Sequence, residues 1–208
     1  MRVLLRKHEI LKPLITIVAA SSVMRDETLR AIEKTSQELP VPHKWVLVEK
    51  GINSIVDYNR VMLQLGDYVA LDTDYYLIVQ HDGYALNKAN WRGEFLEYDY
   101  IGAPWPFWFH RKPTLKSLVG NGGFSLRSLK FVNACREAST LNADFRRSED
   151  AFMLLDKASI LRDSGCRVAP VDVALRFAQE HRIPEHPFWP DRKSFGFHGK
   201  FNWYGGKL

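Results

Sequence analysis

Four groups of side chains in this 208-residue chain have the types and settings that chemistry on a charged substrate needs. Asp82 follows the apolar run Tyr75-Tyr76-Leu77-Ile78-Val79-Gln80 with only His81 between, so a strand would deliver its carboxylate to the strand's carboxyl end. In open α/β sheets ligands bind at that edge, and a carboxylate there can hold a metal ion or a ligand hydroxyl. The plainer reading of Asp82-Gly83 is a turn pair that closes the strand. Ser148-Glu149-Asp150 places two adjacent acids at the start of an apolar helix, where capping and the helix dipole alone would favour them. If that helix is buried, its acids open into an interior cleft, and a carboxylate there can take a proton from a hydroxyl. His198, in Phe195-Gly196-Phe197-His198-Gly199-Lys200, is sterically open between glycines and suits a metal, while Lys200 suits a diphosphate. Gly120-Asn121-Gly122-Gly123 interrupts a strand-like run, which marks either a bulge or a ligand held close to the backbone. Neither phosphate-loop fingerprint is present, so Gly122 and Gly123 point to a sugar pocket rather than a pyrophosphate cradle.

Positioning these groups takes a sheet covered by helices. Residues 14–20 read as a buried strand closed by Ser21-Ser22, and Asp26 caps a helix with Leu29, Ile32 and Leu39 on one face, stopped by Pro40 and Pro42. A second strand over 44–49, a loop through Gly51 and Asn53, and a helix over 57–65 lead to the strand 75–80, whose apolar run reads as buried on both faces. Strand, helix, strand, helix, strand is the alternation of a parallel sheet. Beyond Asp82 the pattern loosens. Residues 87–97 predict a helix, 98–102 a short strand, and Pro104 and Pro106 exclude a regular helix in the aromatic segment that follows. A second apolar and glycine run covers 118–126, and Ser128 caps a helix carrying Leu129, Val132 and Cys135. A helix runs from 148 to 163, a strand covers 167–171, and 173–180 is a short helix or strand.

The composition narrows the class. Hydrophobic residues make up 46% and aromatic residues 12%, which excludes disorder and supplies one well-packed domain, 1–208. Its net charge of +5 is too small and dispersed for a dedicated nucleic-acid binder, yet suits a phosphate-bearing ligand. Cys135 and Cys166 make no disulfide framework and read as buried thiols of a reducing compartment. No apolar stretch near the N-terminus is long enough to span a membrane and no signal pattern precedes it, so a cytoplasmic, soluble protein is expected, reaching a membrane only by peripheral recruitment.

Taken together, the motifs resemble the GT-A glycosyltransferases, most closely the small GT-A-like domains related to inverting galactosyltransferase-type enzymes. Asp57-Tyr58-Asn59-Arg60-Val61 resembles the Phe-Asn-Arg-Ala segment of β-1,4-galactosyltransferases, which gives Arg60 a contact to the diphosphate. Gln80-His81-Asp82 falls where the family carries its Asp-x-Asp metal motif, with Gln80 in place of the first acid. Asn121-Gly122-Gly123-Phe124-Ser125 resembles the Gly-Gly-x-Ser strand beside the donor sugar. Ser148-Glu149-Asp150 resembles the acidic motif of the catalytic base, implying Asp150 as base and Glu149 on the acceptor. His198 matches the late His that completes the metal site with Asp82, and His198-Gly199-Lys200 resembles the tail of glycogenin-type enzymes. The implied fold is a mixed central sheet with helices on both faces, with a nucleotide-binding half at about 13–86 and an acceptor half at about 87–208. The implied partners are a UDP- or GDP-sugar, a glycan acceptor and a divalent cation, Mn²⁺ or Mg²⁺. Ala20, Ser21 and Glu49, at the ends of the first two strands, would hold base and ribose, and Trp105 and Trp108 would offer a stacking face to an acceptor sugar. Two other readings stand beside this one. A nucleotidyltransferase would share the alternation, but its Gly-rich basic loop is missing at Ala19-Ala20-Ser21-Ser22; a non-catalytic binding module is consistent with Gln80.

Overall fold

The structure, a computed structural model, describes residues 14–106, 118–141, 144–183 and 194–199. In chain order its elements are β1 (Ile15–Ala20), α1 (Arg25–Glu38), β2 (His43–Val48), α2 (Ile55–Leu63), β3 (Tyr75–Ile78), β4 (Tyr100–Gly102), β5 (Pro104–Trp105), β6 (Leu118–Val119), β7 (Ser125–Ser128), α3 (Leu129–Thr140), α4 (Glu149–Ala151), α5 (Ala158–Asp163), α6 (Val171–Phe177), β8 (Ala178–Gln179) and β9 (Gly196–Phe197). The main sheet has the order β2-β1-β3-β7-β4. β1 pairs in parallel with β2 and β3, and β7 runs antiparallel to both β3 and β4, so the sheet is mixed.

Alternation along β1 explains why its sequence is apolar throughout. Ile15, Ile17 and Ala19 join Ala31 and Ile32 of α1 and Leu77 of β3 in one core, while Val18 and Ala20 join Val61 and Met62 of α2 and Tyr76 and Ile78 of β3 in another. A strand packed by helices on both faces has no polar side to display. Ser128 caps α3 as expected, accepting from the Phe131 amide at 3.1 Å. The cap of α1 differs from expectation: Met24 holds that position without a side-chain bond, and Asp26 lies in the first turn. α2 begins at Ile55, earlier than expected, because Ser54 accepts from the Asp57 amide at 3.2 Å.

Three segments depart further. Residues 87–97 form two 3₁₀ turns, Lys88–Asn90 and Gly93–Glu97, instead of a helix. The Asn87 side chain accepts from the Ala89 amide, and Trp91 leaves the helical region to pack edge-on against Phe95 and Phe195, with ring centroids 5.5 and 5.0 Å away. Residues 167–171 are not a strand; Val168 makes a lone bridge to Tyr100, and Pro170 starts α6. The predicted helix 148–163 is broken into α4, a π-helical turn Phe152–Asp156 and α5. A π turn inside a helical run is a frequent companion of functional sites. Cys135 is buried and Cys166 half-buried, and both are free thiols.

The late segment 194–199 is sewn into the body of the domain. The Leu86 amide donates to the Phe195 carbonyl at 2.7 Å, β9 pairs with β8, and Phe195 and Phe177 lie against the buried Phe124. A Cβ on Gly196 would meet the Phe124 ring at 2.3 Å, so only glycine allows this approach. These contacts carry His198 across the chain to the end of β3. Among the described residues no helix is long and apolar enough to cross a membrane.

Candidate active site

A cleft in two lobes opens at the carboxyl ends of β1 and β3. The first lobe, a cavity of ≈ 290 Å³, is lined by Ala20, Ser21, Val23, Ile52, Asn53 and His81 among others. The second, of ≈ 260 Å³, is lined by Asn121, Gly123, Asp150, Glu180, His181 and His198 among others. Ile55, Tyr58 and Gln80 border both, so the lobes share a wall. Burial keeps the Tyr58 phenol protonated beside Gln80, which leaves it a hydrogen-bond donor.

Gln80-His81-Asp82-Gly83 forms a tight turn, with Gln80 and Gly83 exchanging both backbone hydrogen bonds at 3.0 Å. The turn reading and the site reading of Asp82 therefore describe the same geometry. His198 lies over this turn. Its Nε2 is 2.9 Å from Gln80 Oε1 and 3.7 Å from Asp82 Oδ1, and its Nδ1 is 3.3 Å from Glu180 Oε1. Burial would lower the imidazole pKa, but the hydrogen bond and charge of Glu180, backed by Asp82 and Asp150, outweigh it and raise the group above its ordinary value. Burial likewise would raise Glu180, but hydrogen bonds from His181 and His198 hold that carboxyl down at about 2. Asn121, held in the left-handed region at φ 55°, donates its side-chain amide to Glu180. It is the one non-glycine residue in that region among those described, and such strain gathers at binding sites.

No three His, Cys, Asp or Glu side chains converge as a cation cage among the described residues. What the turn offers is the Asp82 carboxylate, the His198 imidazole and the Gln80 amide oxygen. Asp82 Oδ1 is buried without a hydrogen-bond partner, with His198 Nε2 3.7 Å away, so a cation there would satisfy it. A set of one carboxylate, one imidazole and one amide oxygen fits Mg²⁺ or Mn²⁺ when substrate phosphates complete the shell.

Asp150 is oriented by two amides: Gly122 N–H donates to its Oδ2 at 2.8 Å and Ala151 N–H to its Oδ1 at 2.6 Å. Glu149 beside it is differently placed. Its Oε1 meets Arg127 Nη2 at 2.6 Å, with side-chain exposures of 4% and 2%. Burial and the Asp150 charge raise the Glu149 carboxyl above its ordinary value, against the opposing pull of the Arg127 guanidinium that it meets. Glu149 lines the second lobe, and through Arg127, which donates to the Gly122 carbonyl at 3.4 Å, it also ties α4 to the Gly122 loop.

Several expected contacts are not brought into the cleft. Arg60 projects away from both lobes, 4.9 Å over the Phe145 ring, because the buried face of α2 is Tyr58, Asn59, Val61 and Met62. It is Asn59 that serves the site, donating to the carbonyls of Phe145 and Arg147 at 2.8 and 3.0 Å and fixing the approach to Ser148. Glu49 follows β2 but pairs with Arg25 at 2.5 Å on the surface, outside the first lobe. Gly123 does line the second lobe, and both glycines are closely packed: a Cβ on Gly122 would meet Glu149 Oε1 at 2.0 Å, and one on Gly123 would meet His198 Nε2 at 2.0 Å. Trp105 is buried over Gly120 and forms a wall of the second lobe rather than an open stacking face. Trp108 and Lys200 lie outside the described residues. Sequence reasoning missed Glu180 and Arg127, which lie in no quoted motif, and gave no role to Asn121 and Asn59 within theirs; only the polarity of Glu180 and Arg127 within apolar surroundings could have marked them.

A model of the family described as "Protein of unknown function (DUF5672)" matches residues 45–198. The chain belongs to that family. The matched span of DUF5672 contains every described cleft residue from α2 to His198. No curated protein matches the chain. Among solved structures, a glycosyltransferase involved in the glycosylation of the major capsid of PBCV-1 is 13% identical, with 89% of this chain and 93% of that one covered and a TM-score of 0.53. The galactosyltransferase LgtC, solved in complex with donor and acceptor sugar analogs, is also 13% identical over 88% of this chain and 86% of its own, at a TM-score of 0.45. The first likeness identifies the architecture of this DUF5672 chain as a GT-A-like glycosyltransferase fold.

Proposed function

We propose that the protein is a glycosyltransferase, moving a sugar from a nucleotide-diphosphate donor to a hydroxyl of a glycan or other acceptor. The observation that carries this reading is that Gln80, Asp82, Asp150 and His198, far apart in sequence, meet in or beside one two-lobed cleft at the ligand-binding edge of the sheet. The first lobe suits a nucleoside: Val23, Ile52 and Ile55 supply apolar surface for a base, and Ser21 and Asn53 supply polar atoms for a ribose. The second lobe suits the transferred sugar and the approaching acceptor, with the diphosphate bridging the lobes at Gln80, Asp82 and His198. When bound at Asp82 and His198, Mn²⁺ or Mg²⁺ would neutralise charge growing on the departing diphosphate.

Asp150 takes the acceptor hydroxyl proton as that oxygen bonds to the anomeric carbon. The bond from that carbon to the phosphate oxygen breaks, and its electron pair leaves with the diphosphate. Attack from the face opposite the leaving group inverts the sugar. Two amide donors leave the Asp150 carboxylate with free lone pairs in a fixed direction, which is what a base needs. Gln80 favours a second reading, a non-catalytic module that binds nucleotide sugars, because it removes one negative charge from the cation's surroundings. Thermal unfolding against UDP-, GDP-, CMP- and dTDP-sugars, with and without Mn²⁺, tests the reading. A donor at a hundred times its Kd adds roughly 2.7 kcal/mol of stability. A shift with one nucleotide class supports the assignment; no shift with any of them removes it.

A further inference from the structure

We propose that the Tyr58 hydroxyl is a substrate-binding group, donating a hydrogen bond to the β-phosphate of the donor where the two lobes of the cleft meet. The inference deepens the glycosyltransferase reading and rests on it. Tyr58 borders both lobes, together with Gln80 and Ile55, and so stands where a donor must pass from nucleoside to sugar. The residue is 8% exposed, and its hydroxyl oxygen is buried without a hydrogen-bond partner. Most buried polar side-chain atoms are bonded, and leaving one unmade costs stability, so an orphaned hydroxyl on a cleft wall calls for a ligand that completes it. The polar groups around it are committed elsewhere. Gln80 Oε1 lies 2.9 Å from His198 Nε2, Glu149 meets Arg127 at 2.6 Å, and Asp150 accepts from the Gly122 and Ala151 amides at 2.8 and 2.6 Å. An N–H from the Gln80 amide could use only a lone pair of the phenol oxygen, which leaves the phenol proton still without an acceptor. A phosphate oxygen supplies that acceptor, and a bond from an O–H to it is charge-assisted. Negative charge grows on the β-phosphate as the sugar departs, so the bond strengthens in the transition state. Arg60 faces Phe145 at 4.9 Å, away from the cleft, and Tyr58 on the buried face of α2 takes the diphosphate contact in its place. The hydroxyl oxygen is closed to water, so Gln80 or Ile55 is expected to shift as the donor seats.

Tyr58→Phe removes the hydroxyl alone and provides the test. Calorimetric titration of the whole chain with UDP, GDP and dTDP, and with the matching monophosphates, in the presence of Mn²⁺, is set beside melting curves recorded without nucleotide. The variant is expected to bind the diphosphate that the wild type takes roughly 10–100-fold more weakly, and the matching monophosphate with unchanged affinity. Freed of an unmade bond, it is expected to melt roughly 2–12 °C above the wild type. A hydroxyl that serves packing would give the opposite pattern, a lower melting temperature with diphosphate affinity kept. Equal diphosphate affinity in the two proteins overturns the proposal and leaves the transfer reading standing. An equal loss for mono- and diphosphate overturns it as well, because the hydroxyl then serves the nucleoside end. A variant that melts below the wild type or fails to fold also overturns it, since the hydroxyl then already has a protein partner. If the wild type binds no nucleoside diphosphate, the transfer reading itself fails, and this proposal with it.

Discussion

Replacing Arg127 with Met breaks the buried ion pair that joins β7 to α4. Arg127 Nη2 sits 2.6 Å from Glu149 Oε1, Nε donates to Ser125 Oγ at 3.1 Å, and the guanidinium lies 5.8 and 6.0 Å from the Tyr100 and Phe131 ring centres. Met fills much of that volume but leaves the Glu149 carboxylate buried with the Asp150 charge nearby and no cation. Breaking a buried pair from one side costs about 3–5 kcal/mol. For a chain of this length that is a fall of roughly 6–20 °C in melting temperature. The double variant R127M/E149L removes both charges, and an apolar replacement of a whole pair is often neutral, so it should recover most of the loss. Calorimetry or circular-dichroism melts of wild type, both single variants and the double variant give the coupling directly. A single-variant cost below about 1 kcal/mol, or a double variant no more stable than R127M, would refute the argument.

Gly123→Ala places a methyl 2.0 Å from His198 Nε2, so the ring must move. Overpacking of this kind costs about 1–3 kcal/mol, and titration with Mn²⁺ and a nucleotide should register a larger proportional loss of affinity than the melt does of stability. Asp99 joins β4 to α3 and the Arg167 segment through Lys130 at 2.8 Å, Ser128 at 2.6 Å and the Arg167 amide at 2.8 Å. Burial would raise its pKa, but these hydrogen bonds outweigh it and lower the group below its ordinary 3.8. Its stabilisation is therefore complete above about pH 4 and disappears as the pH falls below that value. Asp99→Asn should cost about 1–3 kcal/mol at neutral pH and flatten the acid limb of urea midpoints against pH; an unchanged limb would count against the assignment.

The first half of the fold was legible because each element declared itself locally. The residues of β1 and β3 are apolar on both faces, and Pro40 closes the helix between β1 and β2. The segment 87–97 misled because its residues tolerate a helix while Trp91 gains more by packing on Phe195, a contact with a distant partner that no local pattern shows. In the site, Asp82, Asp150 and His198 stood out by type and setting, and the fold brings them together. Glu180 was invisible for the reason that Arg60 was misread. The β8 and β9 pairing turns one acid of an unremarkable sequence toward His198, while the turn angle of α2 sends a motif arginine outward and its neighbour Asn59 inward.

Release of nucleoside diphosphate from a donor sugar in the presence of a glycan acceptor, compared between wild type and Asp150→Asn, tests the central claim most directly. Asp150→Asn keeps the shape of the carboxylate and its place beside the Gly122 amide but cannot take the acceptor proton. The account predicts turnover by the wild type, a loss of roughly 10²–10⁴-fold in Asp150→Asn, and an unchanged thermal shift with donor in both. Transfer by Asp150→Asn at the wild-type rate would contradict it.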